Sequence, residues 1–222
     1  MALIGVVPAA GRAERLQPLD GSKEVVEVGG RPVMDYVVER IRAVDPEEIR
    51  LVTRPDKADV ASRARELRLS VVYAAPATLS ESLLAGIEGL PPEDTVLIGL
   101  PDSIWEPVDA FAALVEAIEA GADVALGLFR SSEPERGDVV EVGPDGTVRY
   151  LHVKSPASTG DLVWGAVAAR TAALEGLHAH AEPGDAFAAL ARDGRVRAVI
   201  FGTEFLDIGT SDALARAREL LG

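Results

Sequence analysis

The chain has 222 residues, 48% of them hydrophobic, with no cysteine and a formal net charge of −14. That length suits one α/β domain with a large core, and the lack of cysteine excludes disulfides, a thiolate nucleophile and a cysteine-bound zinc. The acidic balance argues against nucleic acid as a partner, which calls for a basic face, and no apolar run is long enough to span a bilayer. The first residues carry no basic segment and run straight into a candidate site, so they do not read as a signal peptide, and the expected setting is the cytoplasm without a membrane partner.

Residues 3–8, Leu3-Ile4-Gly5-Val6-Val7-Pro8, read as a buried strand. Pro32 opens a helix to about residue 44, with Val33, Val37, Ile41 and Val44 at helical spacing. Strand 49–53, a polar helix over 57–68 and strand 70–74 follow. Thr78 or Ser80 caps a helix to about Leu90, and 95–100 is a fully buried strand. A helix over about 108–120 and a strand over 122–129 come next. The pattern then changes: 138–142 and 147–153 flank Gly143-Pro144-Asp145-Gly146, a hairpin signal. Strand 162–169, helices near 171–177 and 184–192, strand 195–201 and a helix from about 211 complete the chain. Repeated βαβ units predict a Rossmann-like, three-layer α/β/α fold with a mostly parallel mixed sheet. One domain is expected over 1–222, with a nucleotide-binding part to about 130 and an acceptor-binding part from about 131.

Ligands of open α/β sheets bind beyond the carboxyl ends of the strands. Beyond the first strand lies Pro8-Ala9-Ala10-Gly11-Arg12-Ala13-Glu14-Arg15, and Lys23 follows a Pro-Leu-Asp-Gly loop. Small residues let backbone N–H groups approach phosphates, while Arg15 offers a bidentate fork and Lys23 a compact charge. The pattern predicts a nucleoside triphosphate site. The strand over 95–100 ends in Pro101-Asp102, and Asp207 precedes Gly209 and a helix cap, which sets two carboxylates at loop mouths. Two carboxylates, completed by phosphate and water, suit Mg²⁺.

The chain has nineteen arginines but only Lys23, Lys57 and Lys154 as lysines. Such a bias leaves lysine where a guanidinium is too wide, which singles out Lys23 and Lys154; Lys57, in Arg-Pro-Asp-Lys-Ala-Asp, reads as a solvated surface charge. Gly11 lacks the further glycines of a dinucleotide fingerprint, and Gly21-Ser22-Lys23-Glu24 is not a P-loop. His178 and His180 read as surface histidines.

These motifs together resemble the sugar-1-phosphate nucleotidylyltransferases. The opening loop is similar to the family's L-A-G-G-x-G-T-R-L-x-P-L signature, and Val28 to Tyr36 to its continuation. Ser80-Glu81-Ser82 with Gly86 resembles the base-recognition helix, Leu100-Pro101-Asp102 the metal motif, and Gly137 to Glu141 with Asp145-Gly146 the hairpin. Lys154-Ser155-Pro156, Trp164-Gly165 and Asp207-Ile208-Gly209-Thr210 resemble further family segments in the same order. The Pro-Ala-Ala-Gly opening is most similar to the bacterial glucose-1-phosphate thymidylyl- and uridylyltransferases, whereas the length is closer to relatives acting on muramic acid or heptose phosphates.

The resemblance implies transfer of a nucleotidyl group from an NTP, dTTP or UTP favoured, to a sugar 1-phosphate with release of pyrophosphate. It implies catalytic roles for Arg15, Lys23 and Lys154, and a nucleotide cradle from Ala9, Ala10, Gly11, Arg12 and Ala13 with Glu81 and Gly86 at the base. Gly137, Lys154 and Gly165 would hold the sugar phosphate, and Asp102 and Asp207 would hold Mg²⁺. A monomer or small homo-oligomer is expected. Glu81 stands where an amide is common; a carboxylate only accepts, so it could take N3–H of uracil or thymine, N1–H and N2–H₂ of guanine, or the amino group of cytosine. Ala13, Glu14, Pro101 and Val153 depart from the family pattern, and Val153 stands where a glutamate contacts a sugar hydroxyl. Two alternatives stay open: a cytidylyltransferase of the methylerythritol phosphate type, with a similar opening, and a binding domain without turnover.

Overall fold

A strand apolar along its whole length needs cover on both faces, and Leu3–Pro8 (β1) has it. The computed structural model describes residues 1–12, 21–155 and 160–222. Glu27–Val28 (β2) and Arg31–Pro32 (β3) form a small hairpin across Gly29 and Gly30, both at positive φ (58° and 75°), the backbone that glycine adopts without penalty. Val33–Arg42 (α1) follows, with Val33, Val37 and Ile41 fully buried at the expected spacing. Glu48–Thr53 (β4) returns parallel to β1, and Ala58–Glu66 (α2) leads to Ser70–Tyr73 (β5), parallel to β4. Leu79–Ile87 (α3) then carries the chain back to Thr95–Gly99 (β6) on the other side of β1. The first half is therefore a parallel quartet in the order β6-β1-β4-β5.

The second half changes direction. Ser103–Ile104 (β7) and Ala110–Glu119 (α4) precede Val124–Arg130 (β8). Asp138–Val142 (β9) and Val148–Val153 (β10) form the expected hairpin, whose turn is fixed by Asp145: its carboxylate accepts from Thr147 N (3.1 Å) and Thr147 Oγ1 (2.8 Å). Leu162–Arg170 (β11) runs antiparallel to β6, β8 and β9, which joins the halves into a nine-stranded sheet among the described residues. Thr171–Ala179 winds as 3₁₀ helix, and Pro183–Arg192 (α5) packs on the hairpin. Val196–Glu204 (β12) pairs parallel with β8, Leu206–Asp207 (β13) pairs antiparallel with β7, and Ser211–Leu221 (α6) ends the chain.

Alternation along the strands divides the core. Val6, Ile98, Leu126 and Val167 face one side with Leu83 and Phe187, while Val7, Leu97, Leu51 and Ala168 face the other with Ile41 and Phe111. A third cluster joins Val28, Val33 and Tyr36 to Ile104, Ile208, Leu214 and Ala217. It ties the last helix to the first and so fixes the Asp207 segment beneath the loop after β6. The mixed three-layer sheet agrees with the expectation from the βαβ pattern. The 3₁₀ turn at Lys23–Val25 and the two-residue strands β2, β3, β7 and β13 were too short to carry a periodic signal.

Candidate active site

A cavity of about 1130 Å³ opens at the carboxyl ends of β1, β4 and β6 and extends along the β9–β10 hairpin. Ala10, Gly11, Arg12, Lys23, Asp102, Gly137, Lys154 and Asp207, all singled out in the sequence, line it. Ala13 and Arg15 lie outside the described residues.

Lys23 sits on a short 3₁₀ turn closed by Val25 N and Val26 N, which donate to Ser22 O (3.1 Å) and Lys23 O (3.2 Å). Asp59, at the start of α2, clamps that turn: its carboxylate accepts from Ser22 N (2.7 Å) and Ser22 Oγ (2.8 Å). Partial burial alone would raise the Asp59 pKa; these hydrogen bonds outweigh it and leave the group below its ordinary value. Across the cavity mouth, Ile208 N donates to Asp102 O (2.8 Å), and the β7–β13 pairing sets Asp207 opposite Ser103. Two carboxylates separated by 105 residues of chain thus come from neighbouring backbone. Lys23 Nζ forms an ion pair with Asp102. Burial, the largest single influence, lowers the Lys23 pKa, but the Asp102 carboxylate, with Glu24 and Asp207, carries it above its ordinary value. Lys23 is therefore a firmly protonated cation near three acidic groups.

Beneath it lies a second pair that corrects the reading of Lys57. That side chain is 11% exposed, not solvated. Lys57 Nζ donates to both carboxylate oxygens of Glu24 (2.8 and 2.9 Å) and to Ala9 O (3.1 Å), the backbone just beyond β1. Glu24 is 0% exposed, and its burial raises its pKa despite Lys57. All three lysines of this arginine-rich chain thus serve the cavity or the backbone that shapes it.

Just after β1, Ala9 is buried, its N–H donating to Val52 O (2.7 Å), so it shapes the loop from behind. Gly86 lies where α3 crosses β1; a Cβ there would press on Val6 and Val52. Neither lines the cavity. Glu81 is exposed, and its Oε2 accepts from Ala77 N (2.6 Å) while its own N–H donates to Thr78 Oγ1 (3.1 Å). That is the reciprocal arrangement of a capping box, shifted one residue toward the N-terminus. Two other groups line the cavity nearby: Ser82, which the sequence placed only within the Ser80-Glu81-Ser82 motif, and Arg54, which it did not single out. Ser82 lines the cavity with a buried hydroxyl, and Arg54 lines it with a buried Nε that lies 3.4 Å from Asp56; neither atom has a hydrogen-bond partner among the described residues. Arg54 follows β4 directly, so the strand-end rule that found Asp102 reaches it too.

At the hairpin end of the cavity, Lys154 follows β10 in a left-handed conformation (φ 44°), with its Nζ 2.6 Å from Glu182 Oε1 and its side chain 53% exposed. Gly137 lies on the cavity wall against Val163. Gly165 is set behind the wall, where a Cβ would collide with Phe205. Arg136 and Arg216 add cations at the rim. Among the described residues no cluster of three or more His, Asp or Glu could hold a metal by itself, and no helix is long and apolar enough to cross a membrane.

The site is thus a cavity at the strand ends of a Rossmann-like α/β sheet, lined by Lys23, Lys154, Asp102 and Asp207. Residues 5–203 match the MobA-like NTP transferase domain, and the chain belongs to that family. The structure superposes on that of a candidate glucose-1-phosphate thymidylyltransferase from Bacillus anthracis in complex with sucrose, with a TM-score of 0.88 at 20% identity, covering 99% of this chain and 95% of that one. At that identity the likeness speaks for the fold. No curated protein sequence matches the chain significantly. Family and fold together agree with the resemblance to the sugar-1-phosphate nucleotidylyltransferases read from the motifs, and place the chain among nucleotidyltransferases.

Proposed function

We propose that the protein transfers a nucleotidyl group from an NTP, with dTTP or UTP favoured, to a sugar 1-phosphate. The observation that carries this reading is the convergence of Lys23, Asp102, Asp207 and Lys154, drawn from four distant segments, on one cavity. An oxygen of the acceptor phosphate attacks the α-phosphorus of the NTP in line, the bond to the bridging oxygen breaks, and pyrophosphate leaves. Such a transfer needs positioning and charge neutralisation more than a general base, because a phosphate monoester is itself a competent nucleophile. Backbone N–H groups from Ala10 to Arg12 approach the phosphates, and Arg15 takes the β- and γ-phosphates. Lys23 neutralises charge on the α-phosphate and the departing pyrophosphate, and Lys154 grips the acceptor phosphate.

Asp102 and Asp207 fit Mg²⁺: both are hard oxygen donors, adjacent through the β7–β13 pairing, with room in the cavity for phosphate oxygens and water to complete the shell. When bound there, the ion would supply charge neutralisation at the transferring phosphoryl group. At the base, Arg54 and Ser82 offer donors for the carbonyl oxygens of uracil or thymine, and the Ser82 hydroxyl also accepts from N3–H. The fold's two parts divide accordingly, with the nucleotide on the parallel quartet and the acceptor along the hairpin.

The test is pyrophosphate release with each NTP against a panel of sugar 1-phosphates, with and without Mg²⁺. Release with at least one pair, abolished by chelation, is the expected result. Nucleotide binding without release from any pair would overturn the reading in favour of a binding domain.

A further inference from the structure

Asp138 opens β9 on the cavity wall and is 6% exposed. Its Oδ2 accepts from Trp164 Nε1 (2.9 Å) and its Oδ1 from Lys154 N (3.1 Å). Neither donor is charged, and the Lys154 ammonium is bonded to Glu182 instead. Burial raises the Asp138 pKa, and the two hydrogen bonds and the Lys154 charge do not offset it. A carboxylate has room for about four hydrogen bonds, so this one is buried at a cavity surface with half its capacity filled by donors among the described residues. A structural tie between β11 and the end of β10 needs only neutral acceptors; a buried charge adds a desolvation cost that two neutral donors do not recover. The backbone also keeps space for it: a Cβ on Gly184, at the start of α5, would collide with Oδ2.

We propose that Asp138 is a specificity-determining residue of the acceptor site, where its carboxylate accepts a hydrogen bond from a hydroxyl of the phosphate ester held by Lys154. The inference rests on the transfer reading above and deepens it by naming the acceptor's chemistry. Lys154 donates its own backbone N–H to Asp138, so a cation for the phosphate and an acceptor for a hydroxyl stand side by side. An acceptor-only, negatively charged group welcomes a hydroxyl and repels a second anion. The acceptor is therefore a polyol monophosphate, and phosphate esters bearing a carboxylate are excluded.

The experiment takes the sugar phosphate that gives the fastest pyrophosphate release and compares it with its monodeoxy analogues, for the wild type and Asp138→Asn. In the wild type, loss of one particular hydroxyl lowers kcat/KM about 10- to 100-fold, the worth of a hydrogen bond to a charged group; in Asp138→Asn the same deletion costs little, and KM for the NTP is unchanged. A purely structural role would lower activity with parent and analogue alike and show no such coupling. The wild-type series does not depend on whether the variant folds: equal rates for the parent and every monodeoxy analogue overturn the inference. So does turnover of phosphoenolpyruvate as fast as the sugar phosphate. No release with any acceptor overturns the transfer reading itself, whereas release that is indifferent to every hydroxyl overturns only the role of Asp138.

Discussion

The two ends of the cavity handle charge differently. Where β1, β4 and β6 end, both lysines have an acidic partner built into the fold: Lys23 with Asp102, and Lys57 with the fully buried Glu24, stacked under a loop of small residues on a parallel sheet. Along the hairpin, Lys154 is about half exposed and its partner Glu182 about a third, at a strand end and a helix start, and the buried group is an anion with neutral donors. The first arrangement holds cations rigid before a substrate arrives. The second leaves a cation free to rearrange beside a fixed acceptor. On the proposed reading, the former suits a site that places a triphosphate in line, and the latter one that tells one small ester from another.

That contrast is sharpest at Lys57. Removing one partner of a buried ion pair is costly, so Lys57→Met should lower the unfolding free energy by about 3–5 kcal/mol. Replacing both members, Lys57→Met with Glu24→Met, should recover most of it, because the stranded charge goes too. Denaturant melts read both; a Lys57→Met chain as stable as the wild type would show that the pair contributes nothing. The same residues set a pH dependence. Burial chiefly raises the Glu24 pKa above its ordinary 4.5, so folded chain holds that proton more tightly than unfolded chain. Its contribution to stability is full below 4.5 and is lost as pH rises through the raised value. The double variant should therefore gain on the wild type as pH rises above 4.5 through the raised Glu24 value, and a constant gap in melting temperature would remove the assignment.

Next in size is Lys23→Met, which should slow pyrophosphate release by about 10²- to 10³-fold, the loss expected for one preorganised charge-stabilising group. Lys154→Met should do less, raising KM for the acceptor about 10-fold, toward the low end for a charged hydrogen bond because the side chain is half exposed. If Lys154→Met raised KM for the NTP instead, the division of the cavity into two ends would collapse. The smallest effect is at the cap of α3: Thr78→Ala should cost about 1 kcal/mol of stability, and Glu81→Gln should leave the choice of nucleobase unchanged. Arg54→Ala is the contrasting variant, expected to weaken that choice in competition assays between nucleotides.

The motifs that were legible before any fold was known are local. Pro8 to Gly11, Pro101-Asp102, the Gly143 to Gly146 turn and Asp207 to Thr210 each announce themselves within a few residues, because strand ends and turns have their own chemistry. Glu81 shows the limit of that reading. Its spacing from Thr78 suits a helix cap as well as a base-reading carboxylate, and the geometry fills it with Ala77 N. Lys57 looks solvated in a polar stretch, yet its partner stands 33 residues earlier, and only the packing of α2 against the Lys23 turn brings them together.

By itself the sequence determined the alternation of strand and helix, the parallel half, the hairpin half and the cavity residues Arg12, Lys23, Asp102, Lys154 and Asp207, since apolar period and strand-end position are properties of short segments. Tertiary structure alone decided which charges meet. Asp138 faces Val153 across the hairpin ladder, accepts from Trp164 on a third strand and leaves space against Gly184 on a helix. Whether a carboxylate is solvated, paired or poised for a ligand depends on such neighbours, because the cost of burying a charge is set by what surrounds it and not by the residues beside it in the chain.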